Sequence, residues 1–181
     1  LQNFNSGYRT FKGDFPFRDY YSITGPVLDI WQGNIYKLFG VSWQSLLLHA
    51  SVMNCLYSLS IFIFLKKLKF SNLNCFFYSL SAGLLMYPAS GNPTVEHNSL
   101  ILSSLATLLF LIALIEKKKI YIFIIIFIFF ISFFTKQVPT GYFVIFCIFI
   151  YMSKIFSNYN WKILFNFLVY SIILFLIFLI Y

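Results

Sequence analysis

Of the 181 residues, 60% are hydrophobic and only 10% are charged, and the mean hydropathy is +0.83, a balance that excludes an ordinary soluble globular domain. The apolar residues come in continuous runs rather than alternating, which excludes a barrel and predicts helices of about 20 residues that cross a bilayer. The formal charge of +8 sits on lysines clustered between those runs, the pattern of loops facing a cytoplasm and not of a nucleic-acid surface.

Residues 1–41 are polar and aromatic, with no cleavable signal peptide. Within them "PVLDIWQGNIYKLFG" sets Val27, Ile30, Trp31, Ile35, Leu38 and Phe39 at mostly three- and four-residue spacing, which predicts an amphipathic helix. Such a helix either lies on the membrane surface, with Trp31 and Trp43 at the interface, or packs on the spans. Apolar spans are predicted over 42–65, 75–87, 99–115, 120–134, 142–152 and 163–181. The breaker-rich "PASGNPTVEHN" over 88–98 and "TKQVPTG" over 135–141 interrupt them. The expected fold is therefore all-α: a polytopic transmembrane bundle of about six helices in 42–181, preceded by an extracytoplasmic loop, 1–41, that carries interfacial helices. Cys55, Cys75 and Cys147 fall inside apolar runs without a CxxC and say little about redox compartment. The chain begins at Leu1 without Met and stops inside an apolar run at Tyr181, so it is expected to be a piece of a longer protein.

Orientation follows from the basic residues. Lys66, Lys67, Lys69, Lys117, Lys118, Lys119, Lys154 and Lys162 follow odd-numbered spans, whereas Lys136 alone follows an even-numbered one. Odd-numbered exits are thus cytoplasmic, and 1–41 and the two breaker loops lie outside, as in a protein of a cell inner or plasma membrane. Asp14, Asp19, Asp29 and Glu96 fall on that outer side and Glu116 does not.

Acids on polar loops are ordinarily solvated, and Asp14, Asp29 and Glu96 are read first in that way. Asp19 differs, because Arg18 precedes it, Tyr20 and Tyr21 follow it, and Pro16 and Gly25-Pro26 restrict the backbone on either side. That segment either holds an Arg and a carboxylate in defined positions or merely ties the loop to the helix ends. Lys136 stands where the insertion rule disfavours it, as a cation for a lipid phosphate or as a snorkelling lysine, with Thr135, Gln137 and Thr140 adding donors around it. Glu96 beside His97 is a candidate metal or proton-transfer pair, weighed against plain polar surface. His49, inside the first span, is expected to hydrogen-bond between helices. No P-loop, GxSxG or HExxH motif is present.

"GDFPFRDYYSITGPVLDIWQGNIYKLFG", 13–40, resembles the first outer loop of GT-C-type glycosyltransferases, the dolichyl-phosphate-mannose protein mannosyltransferase-like group, on Gly13, Pro16, Phe17, Arg18, Asp19, Tyr20, Gly25, Pro26, Phe39 and Gly40. "FFTKQVPTG", 133–141, resembles a Thr-Lys-Gln turn at the outer end of a later span in the same group. The resemblance implies transfer of a sugar from a polyprenyl-phosphate donor, among membrane lipids, to a glycan, lipid or protein acceptor. It implies Lys136, Arg18 and Gln137 at the donor phosphate and Asp19 and Glu96 as supporting acids. A divalent metal held by Glu96 and His97 is the alternative to a cationic side chain at that phosphate. The group's acidic pair, a little over ten residues before the small-residue turn, has no counterpart in "LQNFN", so the main catalytic acid is expected upstream of Leu1 and this piece alone is expected to be inactive. Two rivals stand beside that reading: a transporter or flippase of lipid-linked sugars, which calls for charges or broken helices near the bilayer midplane, and a noncatalytic membrane scaffold, indifferent to the acids.

Overall fold

The computed structural model describes residues 2–22, 25–88, 91–118 and 120–158. All regular structure among them is helical: α1 (Gln2–Lys12), α2 (Val27–Phe39), α3 (Trp43–Lys67), α4 (Asn72–Met86), α5 (Val95–Glu116), α6 (Ile120–Thr135) and α7 (Gln137–Asn158). The chain divides into two compact units, 1–144 and 145–181, with the boundary inside α7. The described part of the second unit is the rest of that helix; the span expected over 163–181 lies outside the described residues.

Two helices, α3 with 25 residues and α5 with 22, are long and apolar enough to cross a membrane, and α6 is a shorter apolar helix. Their starts are set by side-chain caps. Ser42 accepts the Ser45 N–H at 3.1 Å to open α3, and Ser71 accepts the Asn74 N–H at 3.3 Å to open α4. Thr94 accepts the His97 N–H at 3.1 Å, so α5 begins at Val95 and takes in the tail of the predicted 88–98 loop. Likewise α7 begins at Gln137 rather than in the 142–152 span, because Pro139 falls in its first turn, where the missing N–H costs no intrahelical bond. Only Lys136 separates α6 from α7.

The first unit has two distinguishable ends. At one, α3, α5 and α7 begin and α4 and α6 finish, and the Lys136 ammonium pairs with Glu96. At the other, Lys67 and Lys118 both pair with Glu116, and Lys117 in the left-handed region, φ 57°, terminates α5. Between them Met53, Ile101 and Leu102 form a buried cluster on which Trp31, Tyr57 and Ile128 pack. Asn54 on α3 donates through Nδ2 to Gly83 O of α4 at 2.7 Å, and a Cβ at Gly83 would lie 1.9 Å from Ser58 Oγ, so this crossing admits only glycine without a shift.

Residues 1–41 hold two helices where the spacing predicts one. α1 and α2 approach so closely that a Cβ at Gly7 would lie 2.5 Å from Gln32 Cγ and one at Gly33 would lie 2.9 Å from Thr10 Cβ. α1 is mostly polar but sets Phe4, Tyr8 and Phe11 on one face, and the contact with α2 supports so short a helix. α2 in turn buries Leu28, Asp29, Gln32, Gly33 and Tyr36, and Trp31 stacks on His49 with centroids 5.8 Å apart and planes at 7°. Of the two placements open for this helix, packing on the rest of the fold accounts for that face, while Leu38, Phe39 and Trp43 remain exposed at its far end.

Candidate functional site

The two stretches that carry the resemblance meet. Gly25 N–H donates to Thr135 O at 3.3 Å, and a Cβ at Gly25 would fall 1.2 Å from Phe134 O. The Gly25-Pro26 turn therefore abuts the last turn of α6, one residue before Lys136, and any side chain there would collide with backbone.

Lys136 follows directly, and Glu96 in the first turn of α5 takes its ammonium. The lysine side chain is 30% exposed and the glutamate 57%, so the pair is open to solvent and to a ligand. An ammonium has three donors, and Glu96 engages one. Gln137, the first residue of α7, is exposed beside it. Thr135 and Thr140 do not join them: both are 1% exposed. Thr135 donates to Ile131 O at 3.0 Å, and Thr140 to Lys136 O at 2.9 Å. The expectation that these two threonines add donors around the lysine is corrected accordingly; hydroxyls on an apolar helix return to the carbonyl a turn earlier. Thr140 instead closes a buried hydroxyl cluster, with Ser132 Oγ 2.8 Å away, Ser103 Oγ 2.7 Å from Ser132 Oγ, and Ser99 Oγ donating to Lys136 O at 2.9 Å. The cluster ties α5, α6 and the start of α7 together under the lysine.

Glu96 and His97 diverge. While Glu96 reaches Lys136, the buried His97 lies with Nε2 3.2 Å from Asn54 Oδ1. Adjacent residues on a helix point about 100° apart, and these two share no ligand position. No group of three His, Cys, Asp or Glu side chains converges among the described residues. His49 bridges helices as expected, with Nδ1 2.8 Å from Gln32 Oε1 of α2 and Nε2 3.0 Å from Asn98 Oδ1 of α5.

Arg18 and Asp19 pair with each other on the exposed loop between α1 and α2, at 2.7 Å from Nη2 to Oδ2. The Phe15 N–H also donates to Asp19 Oδ2, at 2.7 Å, and the Phe17 N–H to Tyr20 O at 2.9 Å, closing a tight turn in which Phe17 adopts φ 65°. The Arg18 hydrogen bond, with the Phe15 amide after it, holds the Asp19 carboxyl down at about 2, and the Arg18 guanidinium is raised by the same contact. So low a value makes a poor proton acceptor near neutrality. Of the two readings of this segment, the geometry favours the tie.

Asp29, read from sequence as a solvated acid, is 5% exposed. Its Oδ1 accepts from Ser6 Oγ at 2.5 Å, and its Oδ2 accepts from Tyr20 OH at 3.0 Å and Ser22 Oγ at 2.9 Å. Burial, with the Asp29 charge pushing the same way, holds the Tyr20 phenol up at about 12, so it stays a donor. The Arg9 guanidinium covers the Tyr20 ring at 4.7 Å and binds Asp14 at 3.0 Å. The available signal in sequence was position: Asp29 is the third residue of α2, on the helical face that also carries Gln32, Gly33 and Tyr36. Comparison of the chain with known protein families, with curated proteins and with solved structures finds no match.

Proposed function

We propose that the chain is part of a polytopic membrane glycosyltransferase that moves a sugar from a polyprenyl-phosphate donor to a glycan, lipid or protein acceptor at the outer membrane face. The end bearing Lys136 is outside and the end bearing Glu116 is cytoplasmic, in keeping with Lys66, Lys67, Lys69, Lys117 and Lys118 at the latter. The observation that carries the reading is the contact of the Gly25 turn with Thr135, which brings the 13–40 stretch against the 133–141 stretch beside an accessible cation.

In this reading the acceptor hydroxyl oxygen attacks the sugar C1 and the bond from C1 to the phosphate oxygen breaks, with inversion. The hydroxyl proton passes to a carboxylate, which the resemblance assigns upstream of Leu1, and the lipid phosphate leaves with the bonding pair. Lys136 meets the growing negative charge with its two remaining donors, Gln137 adds a neutral one, and Glu96 keeps the ammonium aimed. Arg18 and Asp19 shape the outer loop. The position of Lys136 directly after the apolar α6 suits a phosphate attached to a lipid.

Titration of the purified full-length protein in detergent with a polyprenyl-phosphate sugar tests this. Lys136→Ala is expected to weaken donor binding by roughly ten- to a hundredfold, the worth of about 1.5 to 3 kcal/mol for a charge-assisted contact. Lys136→Arg should recover part of it, since charge is kept and geometry changes. Unchanged affinity in a folded Lys136→Ala protein rejects the phosphate role. A flippase would bind the same donor yet transfer no sugar to an acceptor in detergent.

A further inference from the structure

Asp29 is the one buried carboxylate among the described residues that the proposed chemistry does not use. Taking a carboxylate out of water is expensive unless its oxygens are fully hydrogen-bonded. Here Ser6, Tyr20 and Ser22 supply those bonds, and no Lys or Arg ion pair reaches it among the described residues. The three hydroxyls come from α1 and from the segment before α2, so one side chain gathers every element around the 13–26 loop.

Where the resulting ring lies is what matters. The Ser22 bond joins residues 22 and 29 across the Gly25-Pro26 turn, so the turn is stapled at both shoulders by the same carboxylate. Three residues of chain span at most about 10 Å, so the bond keeps Gly25 within that distance of Ser22. Gly25 is the residue whose N–H meets Thr135 O, immediately before Lys136. Tyr20, the other shoulder donor, is also held 2.9 Å from Thr10 Oγ1, which anchors the staple to α1.

We infer that Asp29 is a positioning residue for the Lys136 site: it ties Tyr20 and Ser22 to the start of α2 so that the Gly25 turn stands against the end of α6 and the donor phosphate meets a preformed edge. The inference rests on the proposed function. It assigns no proton transfer to Asp29, whose oxygens are occupied by donors, and it requires a carboxylate rather than a neutral isostere, because an amide offers one acceptor oxygen and two hydrogens that face hydroxyl donors.

The test uses Ser22→Ala, which removes the Ser22 hydroxyl from Asp29 and leaves the Ser6 and Tyr20 bonds to it, together with Asp29→Asn and Asp29→Ala, in the full-length protein in detergent. Amide hydrogen exchange is read over 20–26 and 134–137, and donor affinity by titration with a polyprenyl-phosphate sugar. Exchange over 20–26 is expected to rise and donor affinity to fall in the order Ser22→Ala, Asp29→Asn, Asp29→Ala, reaching on the order of tenfold in affinity. Exchange within α3 and α5 should be unaltered in Ser22→Ala, a pattern that a general loss of stability would not produce. Unchanged exchange over 20–26 overturns the staple. Faster exchange with unchanged donor affinity, while Lys136→Ala still weakens binding, overturns the positioning role. A wild-type protein that does not bind the donor at all removes the proposed function, and this inference falls with it; that result is distinct from either of the others.

Discussion

The two ends of the first unit handle polar groups in opposite ways. At the Glu116 end, lysines lie exposed on short connections, and Lys67 and Lys118 share one glutamate. Water and headgroups can solvate such side chains in many arrangements, so their exact geometry matters little. At the Lys136 end, Asp29, Gln32, His49, Asn98, Ser99 and Thr140 are buried, and each has at least one named partner on another element, with Gln32 Nε2 left unpaired among the described residues. Buried polar atoms tolerate few arrangements, because each unmatched one retains its full desolvation cost. On the proposed topology, charge at the first end orients the chain, whereas polarity at the second fixes how α1 and α2 sit on α3, α5 and α6.

Gly25→Ala should break this contrast most severely. The new Cβ would lie 1.2 Å from Phe134 O, so the turn must leave α6 or α6 must move. A loss of about 3 kcal/mol or more in unfolding free energy is expected, measured by denaturant titration in detergent, with donor binding lost alongside. A variant as stable as its parent would mean that α2 does not dock on α6 in this way.

Next in size comes a paired comparison. Asn54→Leu leaves the Gly83 carbonyl and the His97 ring without the amide that serves both, at a cost of about 1 to 3 kcal/mol. Glu116→Gln, at the other end, should shift the unfolding midpoint far less, because its lysine partners are exposed and can turn to solvent. Equal effects of the two substitutions would erase the distinction between the ends.

The smallest expected effect concerns pH. The Asp19 carboxyl is held down at about 2, below an ordinary carboxylate value of about 4. A depressed value means that the ionised form is the one the fold favours. Its contribution to the 15–20 turn is therefore complete above about pH 4 and fades as pH falls toward 2. Exchange of the Phe15 amide, which donates to Asp19, should accelerate over that window and lose the dependence in Asp19→Asn. The same acid profile in Asp19→Asn would assign the opening to another group.

Much of the candidate site was visible one residue at a time. Lys136 stands out as a lone lysine between spans, and Glu96 as an acid in the 88–98 loop, but their pairing links residues forty positions apart in the chain. Asp29 was misread for a related reason: a carboxylate in a mixed segment is usually solvated, and α1, whose Phe4, Tyr8 and Phe11 spacing went unread, supplies the Ser6 hydroxyl that helps bury it. Thr135 and Thr140 were named for the right turn but the wrong side of it, since the start of α7 at Gln137 rotates Thr140 inward.

By itself the sequence determined that the stretches of α3 and α5 are apolar enough to be long helices, where the lysines gather, and that the regular structure of the described residues is helical. Those properties belong to each segment and to its exchange between water and an apolar medium, so they need no knowledge of neighbours. Only the tertiary structure decided that Gly25 touches Phe134 and Thr135, that His49 bridges α2 and α5, and that Asp29 lies beneath three hydroxyls. These depend on steric fit and on matching donors to acceptors between segments distant in the chain, and hydropathy carries no record of which donor will find which acceptor.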